Sequence, residues 1–450
     1  MLGSILIGLI GLGLVVSVHE FGHLLAAKAV GIKVEAYSVG WGRKLLSFQK
    51  GETEYRLSAI PLGGYCKMKG EHALMEAWQQ DERTIPQEEG AFYSAKPWER
   101  ILVLFSGPLV NILFAVLVFG IVAWAGYTVQ TFSNRIVLAS ELTGQEAPAD
   151  RSGLETGDVI LAIDGEETRS FREIQEEVSQ SPQETLSVRV RGDGGERALE
   201  ITPVLNRETG AGQIGIYPWI DPVVGSVREG SAAAVAGLQP GDRILSIGGR
   251  EVGNSISLIK ALQNDSGSQT IRYERNGNVR SAEIVPGENE AGEPSIGVSF
   301  EPLEFRVQAG GPIRALGRGV SRTTETLVLA VRSIGLLFAG VDLSQAVAGP
   351  VRITYLVGEV AQQGFRSGFG QGLVSFFNFL SLISVMLFFM NMLPIPVLDG
   401  GQILLSAFEG VTRRPLRPRF VYRYQMIGTA IVLVIIGFAF FNDILFLARQ

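Results

Sequence analysis

The sequence predicts a polytopic α-helical membrane protein with four transmembrane helices, a membrane-associated β-hairpin, and two tandem α/β repeats outside the membrane. Three observations carry this. Apolar residues gather in four stretches long enough to cross a bilayer, which takes roughly 20 residues. A glycine-rich pattern beginning at Gly153 returns at Gly237. Between the first two apolar stretches, two short segments alternate as half-buried strands do.

Composition sets the bounds. The chain has 450 residues, a mean hydropathy of +0.24 and 19% charged residues, which is too apolar for an ordinary soluble enzyme. A net charge of -6 supplies no basic field, so nucleic acid is not an expected partner. The single cysteine, Cys66, excludes an intramolecular disulfide and any multi-cysteine zinc cluster, and reads as a small buried residue.

The first expected span covers residues 1–30. It lacks a basic leading region and a small-residue cleavage site, so it reads as a retained helix rather than a signal peptide. The second covers 101–126. The third occupies 373–410, with its helical part over Leu373–Leu393, and the fourth covers 426–448. Leu327–Val341 is short, interrupted by Arg332, and is expected outside the bilayer. Lys28, Lys33, Arg43 and Lys44 flank the first span, and Arg413, Arg414, Arg417, Arg419 and Arg423 crowd 411–425. These basic loops are expected in the cytoplasm, with 127–372 and both termini opposite.

Within 31–100, Lys33–Val39 and Glu54–Ile60 alternate in character around turn-prone sequence. They are expected to form an amphipathic hairpin dipping into the bilayer. Its edge is available to an extended substrate strand, with Pro61, Gly63 and Gly64 ending the pairing.

The repeat occupies 127–215 and 216–303. Gly153-Leu154-Glu155-Thr156-Gly157-Asp158-Val159-Ile160-Leu161-Ala162-Ile163 returns as Gly237-Leu238-Gln239-Pro240-Gly241-Asp242-Arg243-Ile244-Leu245-Ser246-Ile247. Each copy is followed by an amphipathic stretch and two strands, the second pair joined by Asn276-Gly277, a strong hairpin signal. The pattern resembles that of PDZ domains, which implies either capture of extended peptides or a size filter. Over 304–372, Arg314, Arg318, Arg322, Glu325 and Arg332 recur near helical spacing, as in an amphipathic connecting helix.

His19-Glu20-Phe21-Gly22-His23 is an H-E-x-x-H motif at the end of the first apolar run. On a helix, i and i+4 share one face, so both imidazoles can bind one metal while Glu20 reaches the water it activates. Ionisable groups at a membrane span are costly and seldom idle. Catalytic zinc usually takes three protein ligands. The third must be a carboxylate or His72, and Asp399 is the better candidate because Pro394 and Pro396 break the helix before it. His72, in a polar loop, reads as a surface histidine.

H-E-F-G-H in the first span, Asn391-x-x-Pro394-x-Pro396-x-Leu398-Asp399-Gly400 in the third, and paired PDZ-like repeats between them resemble the site-2 protease family. These are M50-type intramembrane zinc metalloproteases, and the layout is most similar to the regulator of sigma-E protease group. The resemblance spans essentially the whole chain. It implies one Zn2+ held by His19, His23 and Asp399, with Glu20 as general base and Asn391 holding substrate backbone or oxyanion. It extends the substrate-binding set to Pro394, Pro396, Gly63 and Gly64. Ser106-Gly107-Pro108-x-x-Asn111 also matches a family motif and is expected to pack on the catalytic helix. The implied partners are the bilayer and single-span membrane proteins, such as pre-trimmed anti-sigma factors or remnant signal peptides, in a bacterial inner membrane. Met386 stands where many relatives have a second asparagine, which puts polar substrate contacts at that point in doubt. A non-enzymatic scaffold and a transporter with a broken helix are the rival classes, the latter disfavoured by the lack of an inverted repeat.

Overall fold

The computed structural model describes the chain except residues 1, 208, 264–266, 290–293, 308, 339–348, 367 and 449–450. The chain divides into two compact units, residues 1–127 with 307–450, and residues 128–306.

The first unit is helical. Its long helices are α1 (Leu2–Ala29), α2 (Pro97–Ala125), α3 (Pro312–Phe338), α4 (Pro350–Arg366), α5 (Phe369–Asn391), α6 (Asp399–Thr412) and α7 (Pro418–Ala448). Four of them are long and apolar enough to cross a membrane, over Leu6–Ala29, Pro97–Ala125, Phe369–Asn391 and Pro418–Ile444. These are the four stretches expected from hydropathy, with α7 starting eight residues earlier than the expected 426. At 1.5 Å per residue, the 29 residues of α2 extend about 43 Å, enough for the hydrocarbon core.

Small residues allow the closest helix crossings. Ala315, Gly319, Thr323, Thr326 and Ala330 are buried along one side of α3. A β-carbon on Gly319 would collide with the Val116 carbonyl of α2 and come within 2.9 Å of the Gly120 nitrogen. The segment from Leu327 to Phe338 continues α3, as the amphipathic pattern predicts; residues 339–341 of the expected segment lie outside the described residues. Arg100, buried in the first turns of α2, pairs with Glu409 of α6 at 2.8 Å and ties these helices together.

The expected hairpin has a different topology. Strands β1 (Val34–Lys50) and β2 (Thr53–Met68) are long and bent, and they pair twice. Ala36–Val39 lies between two neighbours: Gly64–Lys67 runs against it, while Glu54–Leu57 follows it with both partner numbers rising together. The hairpin proper joins Lys44–Lys50 to Thr53–Ser58. Lys33–Val39 and Glu54–Ile60 are thus sheet neighbours and not the two arms of one hairpin. Gly40 and Gly42, both at positive φ, turn β1 away after Val39, which alternation alone could not reveal. Trp41, Leu45, Leu46, Phe48 and Ile60 remain exposed on this sheet.

In the second unit the repeated sequence folds twice into the same arrangement. One four-stranded sheet has the order Glu166–Glu167, Val159–Ile163, Leu186–Gly192, Gly195–Ile201. The other has the order Arg250–Glu251, Arg243–Ile247, Gln269–Arg275, Asn278–Ile284. Each sheet covers its own core, built around Ile160, Ile163 and Ile174 in one and Ile244, Ile247 and Ile271 in the other. Asn276 and Gly277 both take positive φ, as a two-residue hairpin turn demands. Ile216–Pro218 pairs with Ile136–Leu138, so the first repeat reaches Pro218 and does not end at residue 215.

The aspartate of each glycine-rich motif is buried and bound by arginine. Asp158 meets Arg197 at 2.7 Å, and Asp242 meets Arg275 at 2.6 Å. Each arginine also donates to the carbonyl of the motif's first glycine, Gly153 or Gly237. The two arginines come from different strands, Arg197 from Gly195–Ile201 and Arg275 from Gln269–Arg275.

Candidate metal centre

The last turns of α1 carry His19, Glu20 and His23. One helical turn separates the histidines, so their rings share a face, and both are buried at 6% exposure. Their Nε2 atoms stand 3.2 Å apart.

Asp399 arrives from the other end of the sequence. Helix α5 stops at Asn391, and Pro394 and Pro396, which lack amide protons, keep 392–398 out of helix. The chain folds back here because Gly400 and Gly401 permit it: a β-carbon on either would strike the carbonyls of Met392, Leu393 or Ile395. Gln402 clamps the loop by donating to the Pro396 carbonyl at 2.7 Å. Helix α6 then restarts at Asp399, where a carboxylate suits the positive end of the helix dipole.

This restart brings Asp399 Oδ2 to 3.1 Å from His19 Nε2 and Oδ1 to 3.6 Å from His23 Nε2. One ligand atom from each of the three residues fits within 4.8 Å of the others. Asp399 Oδ2 is buried and makes no hydrogen bond among the described residues. Two imidazole nitrogens and an unsatisfied carboxylate oxygen, converging in a buried space, suit a zinc ion by donor type and number.

Helix α2 supports the cluster from behind. His23 Nδ1 lies 2.8 Å from the Val103 carbonyl, so Nδ1 carries the proton and Nε2 is free to bind a metal. Gly107 sits against both rings, and Gly22 of α1 faces it across the crossing. Asn111, fully buried, places its side-chain amide 3.2 Å from His19 Nδ1. The Ser106-Gly107-Pro108-x-x-Asn111 motif does pack on the catalytic helix, but sequence reasoning missed that it touches both histidines. Helical spacing held the signal: Val103 and Asn111 lie two turns apart on one helix, as His23 and His19 lie one turn apart on the other.

Strand β2 borders the site on another side. The Cys66 backbone lies beside the Glu20 carboxylate, and a β-carbon on Gly64 would come within 3.7 Å of Glu20 Cγ. Gly63 takes positive φ and lies beside Val16 and Trp41. Both glycines thus border the Glu20 turn. Burial pushes the Cys66 thiol up, which disfavours a thiolate nucleophile. Asn391 closes α5 half-buried, and Pro394 is exposed. Pro396 is buried against Gly428 of α7, where it braces helices. Met386 is half-buried, and His72 is exposed at the start of a short helix, away from this cluster.

Membrane-length helices around a buried His, His, carboxylate cluster, with a glutamate beside it, define a metallohydrolase of the membrane. The comparisons with known proteins agree. The model of Peptidase family M50 matches residues 7–435, and the chain belongs to that family. It is a site-2 type zinc metalloprotease. A candidate zinc metalloprotease of Treponema pallidum is 40% identical over 446 residues, covering 99% of each chain. The regulator of sigma-E protease RseP of Escherichia coli K12 is 30% identical over 460 residues, covering 97% of each. Among solved structures, the PDZ domain of an SdrC-like protein from Listeria monocytogenes covers 19% of this chain and 90% of its own, at 24% identity and a TM-score of 0.17.

Proposed function

We propose that this protein hydrolyses peptide bonds in or beside the transmembrane segments of single-span membrane proteins, with His19, His23 and Asp399 holding its zinc. The convergence of those three side chains from opposite ends of the sequence carries the reading. When bound, zinc acidifies a water molecule and polarises the scissile carbonyl. Glu20 takes the proton from the attacking water and delivers it to the leaving amine.

A bond inside a helix is shielded, so the substrate must be extended before attack. Residues Gly64–Lys67 pair with Ala36–Val39 on one side, and the turn of α1 that carries Glu20 lies beside Gly64. A substrate strand added to this sheet near Gly63 and Gly64 would present its backbone to Glu20. Asn391 would hold the substrate backbone or the developing oxyanion.

The tandem repeats are PDZ-like domains that filter or capture substrate ectodomains. The protein resides in a bacterial inner membrane, with the repeats extracytoplasmic and the active site toward the cytoplasm. Its substrates are single-span proteins already shortened by an earlier cut, anti-sigma factors among them, and remnant signal peptides.

The test is cleavage of a single-span substrate by detergent-purified protein, with zinc measured on each preparation. Glu20→Gln should keep zinc and lose cleavage, and Asp399→Ala should lose both. A Glu20→Gln variant that cuts as fast as wild type would overturn the assignment.

A further inference from the structure

Both histidines of the centre are backed by α2, but only one has an unambiguous partner. His23 Nδ1 meets a main-chain carbonyl, which can only accept. His19 Nδ1 meets the Asn111 side-chain amide, 3.2 Å away, with the nitrogen end nearer. In that orientation the amide donates to Nδ1, which places the ring proton on Nε2. A protonated Nε2 cannot bind a metal. The other end of the same amide, Oδ1, is buried and has no hydrogen-bond partner among the described residues. Oxygen and nitrogen of an amide are interchangeable by a half-turn about the terminal bond.

We infer that Asn111 is a positioning residue for His19: turned by that half-turn, its amide oxygen accepts the Nδ1 proton and fixes the tautomer whose Nε2 can bind metal. The inference rests on the zinc-protease reading and adds a residue to it. The turned amide gives the buried oxygen a donor and removes the conflict at Nδ1. It also makes the two ligands alike, each with Nδ1–H donated to an oxygen on the same helix. The main chain at Asn111 is itself anchored, because Ser384 of α5 donates its hydroxyl to the Asn111 carbonyl at 2.9 Å. Helix α5 thus supports Asn111, and Asn111 supports His19. Partners of this kind typically carry a 10–100-fold effect on metal affinity.

The experiment measures zinc affinity of the full chain in detergent by competition with a chelator, for wild type, Asn111→Leu and Asn111→Asp. Visible spectra of the cobalt-substituted proteins report ligand geometry independently of cleavage. Asn111→Leu keeps the volume but has no acceptor, and should lose affinity by roughly 10–100-fold with altered cobalt bands. Asn111→Asp keeps an oxygen acceptor and should bind within a few-fold of wild type, with unchanged bands. A purely structural role would not separate the two variants. If Asn111→Leu does not fold, Asn111→Ala replaces it with the same expectation. Wild-type affinity without the acceptor, or equal losses in the Leu (or Ala) and Asp variants, would overturn the inference and leave the protease reading intact. Absence of zinc from the wild type would instead bring down that reading itself.

Discussion

Gly107 of α2 lies directly against the His23 imidazole: a β-carbon there would stand 2.5 Å from Nε2, and 2.9 Å from His19 Nε2. Both atoms belong to the cluster that faces Asp399, so even one methyl group would intrude into the candidate metal centre. Gly22 repeats the constraint from the other helix, since a β-carbon on it would meet the Ser106 carbonyl and come within 2.9 Å of Gly107 Cα. The two glycines set how closely the helices cross.

Gly107→Ala should therefore displace the rings and lower zinc content and cleavage together. A misplacement of about 1 Å can cost on the order of 100-fold in rate. The check is zinc analysis with a cleavage assay, alongside circular dichroism to establish intact helices. Full zinc occupancy at wild-type rate would show that the crossing tolerates the methyl.

A second prediction concerns the far end of α7. Asp443, buried at 1% exposure, accepts hydrogen bonds from the backbone N–H groups of Gly349, just before α4, and of Val351 and Arg352 in its first turn. Those amides have no intrahelical acceptor, and away from water each unsatisfied group costs several kcal/mol. Asp443→Leu should loosen α4, read as faster deuterium uptake over 350–366. Asp443→Asn, which keeps one acceptor, should fall between Leu and wild type. Unchanged uptake in the Leu variant would mean that the carboxylate holds nothing.

The third prediction is one of pH. Burial alone would raise the Asp242 carboxyl, but hydrogen bonds from Arg275 and the Gln239 N–H outweigh it and hold the group below the usual carboxylate range. A carboxyl whose pKa is lower folded than unfolded contributes its stability above the unfolded value, near 4, and loses it as pH falls through the folded value. The second repeat should thus be stable at neutral pH and loosen in acid below about pH 4. Arg275→Met strands the buried carboxylate and should cost roughly 3–5 kcal/mol at neutral pH, a cost that shrinks in acid as Asp242 takes up a proton. Hydrogen exchange over 224–300 across a pH series checks both statements, and a variant whose deficit relative to wild type does not shrink in acid would contradict the second.

Much of the site was legible because its residues are chemically unusual where they stand. His19, Glu20 and His23 are polar groups at the end of an apolar run, and Asp399 follows two prolines that no regular span tolerates. The partners that orient them were not legible in the same way. Val103 acts through a carbonyl that every residue possesses, and Asn111 through an amide with many ordinary uses. The β1–β2 pairing was misread because alternation reports which face is buried, and not which strand lies beside which.

By itself, the sequence determined the four apolar helices, the repeat and the residue types of the metal centre, since each follows from local pattern and from the cost of burying charge. Only the tertiary structure decided which groups meet. Arg197 and Arg275 reach equivalent aspartates from different strands because the two strands of a hairpin carry a side chain to the same place. Asp399 meets His19, 380 positions earlier, because Gly22 and Gly107 let α1 and α2 touch while Gly400 and Gly401 fold the chain back onto α6. Such meetings depend on backbone approach distances, which no local pattern of residue types contains.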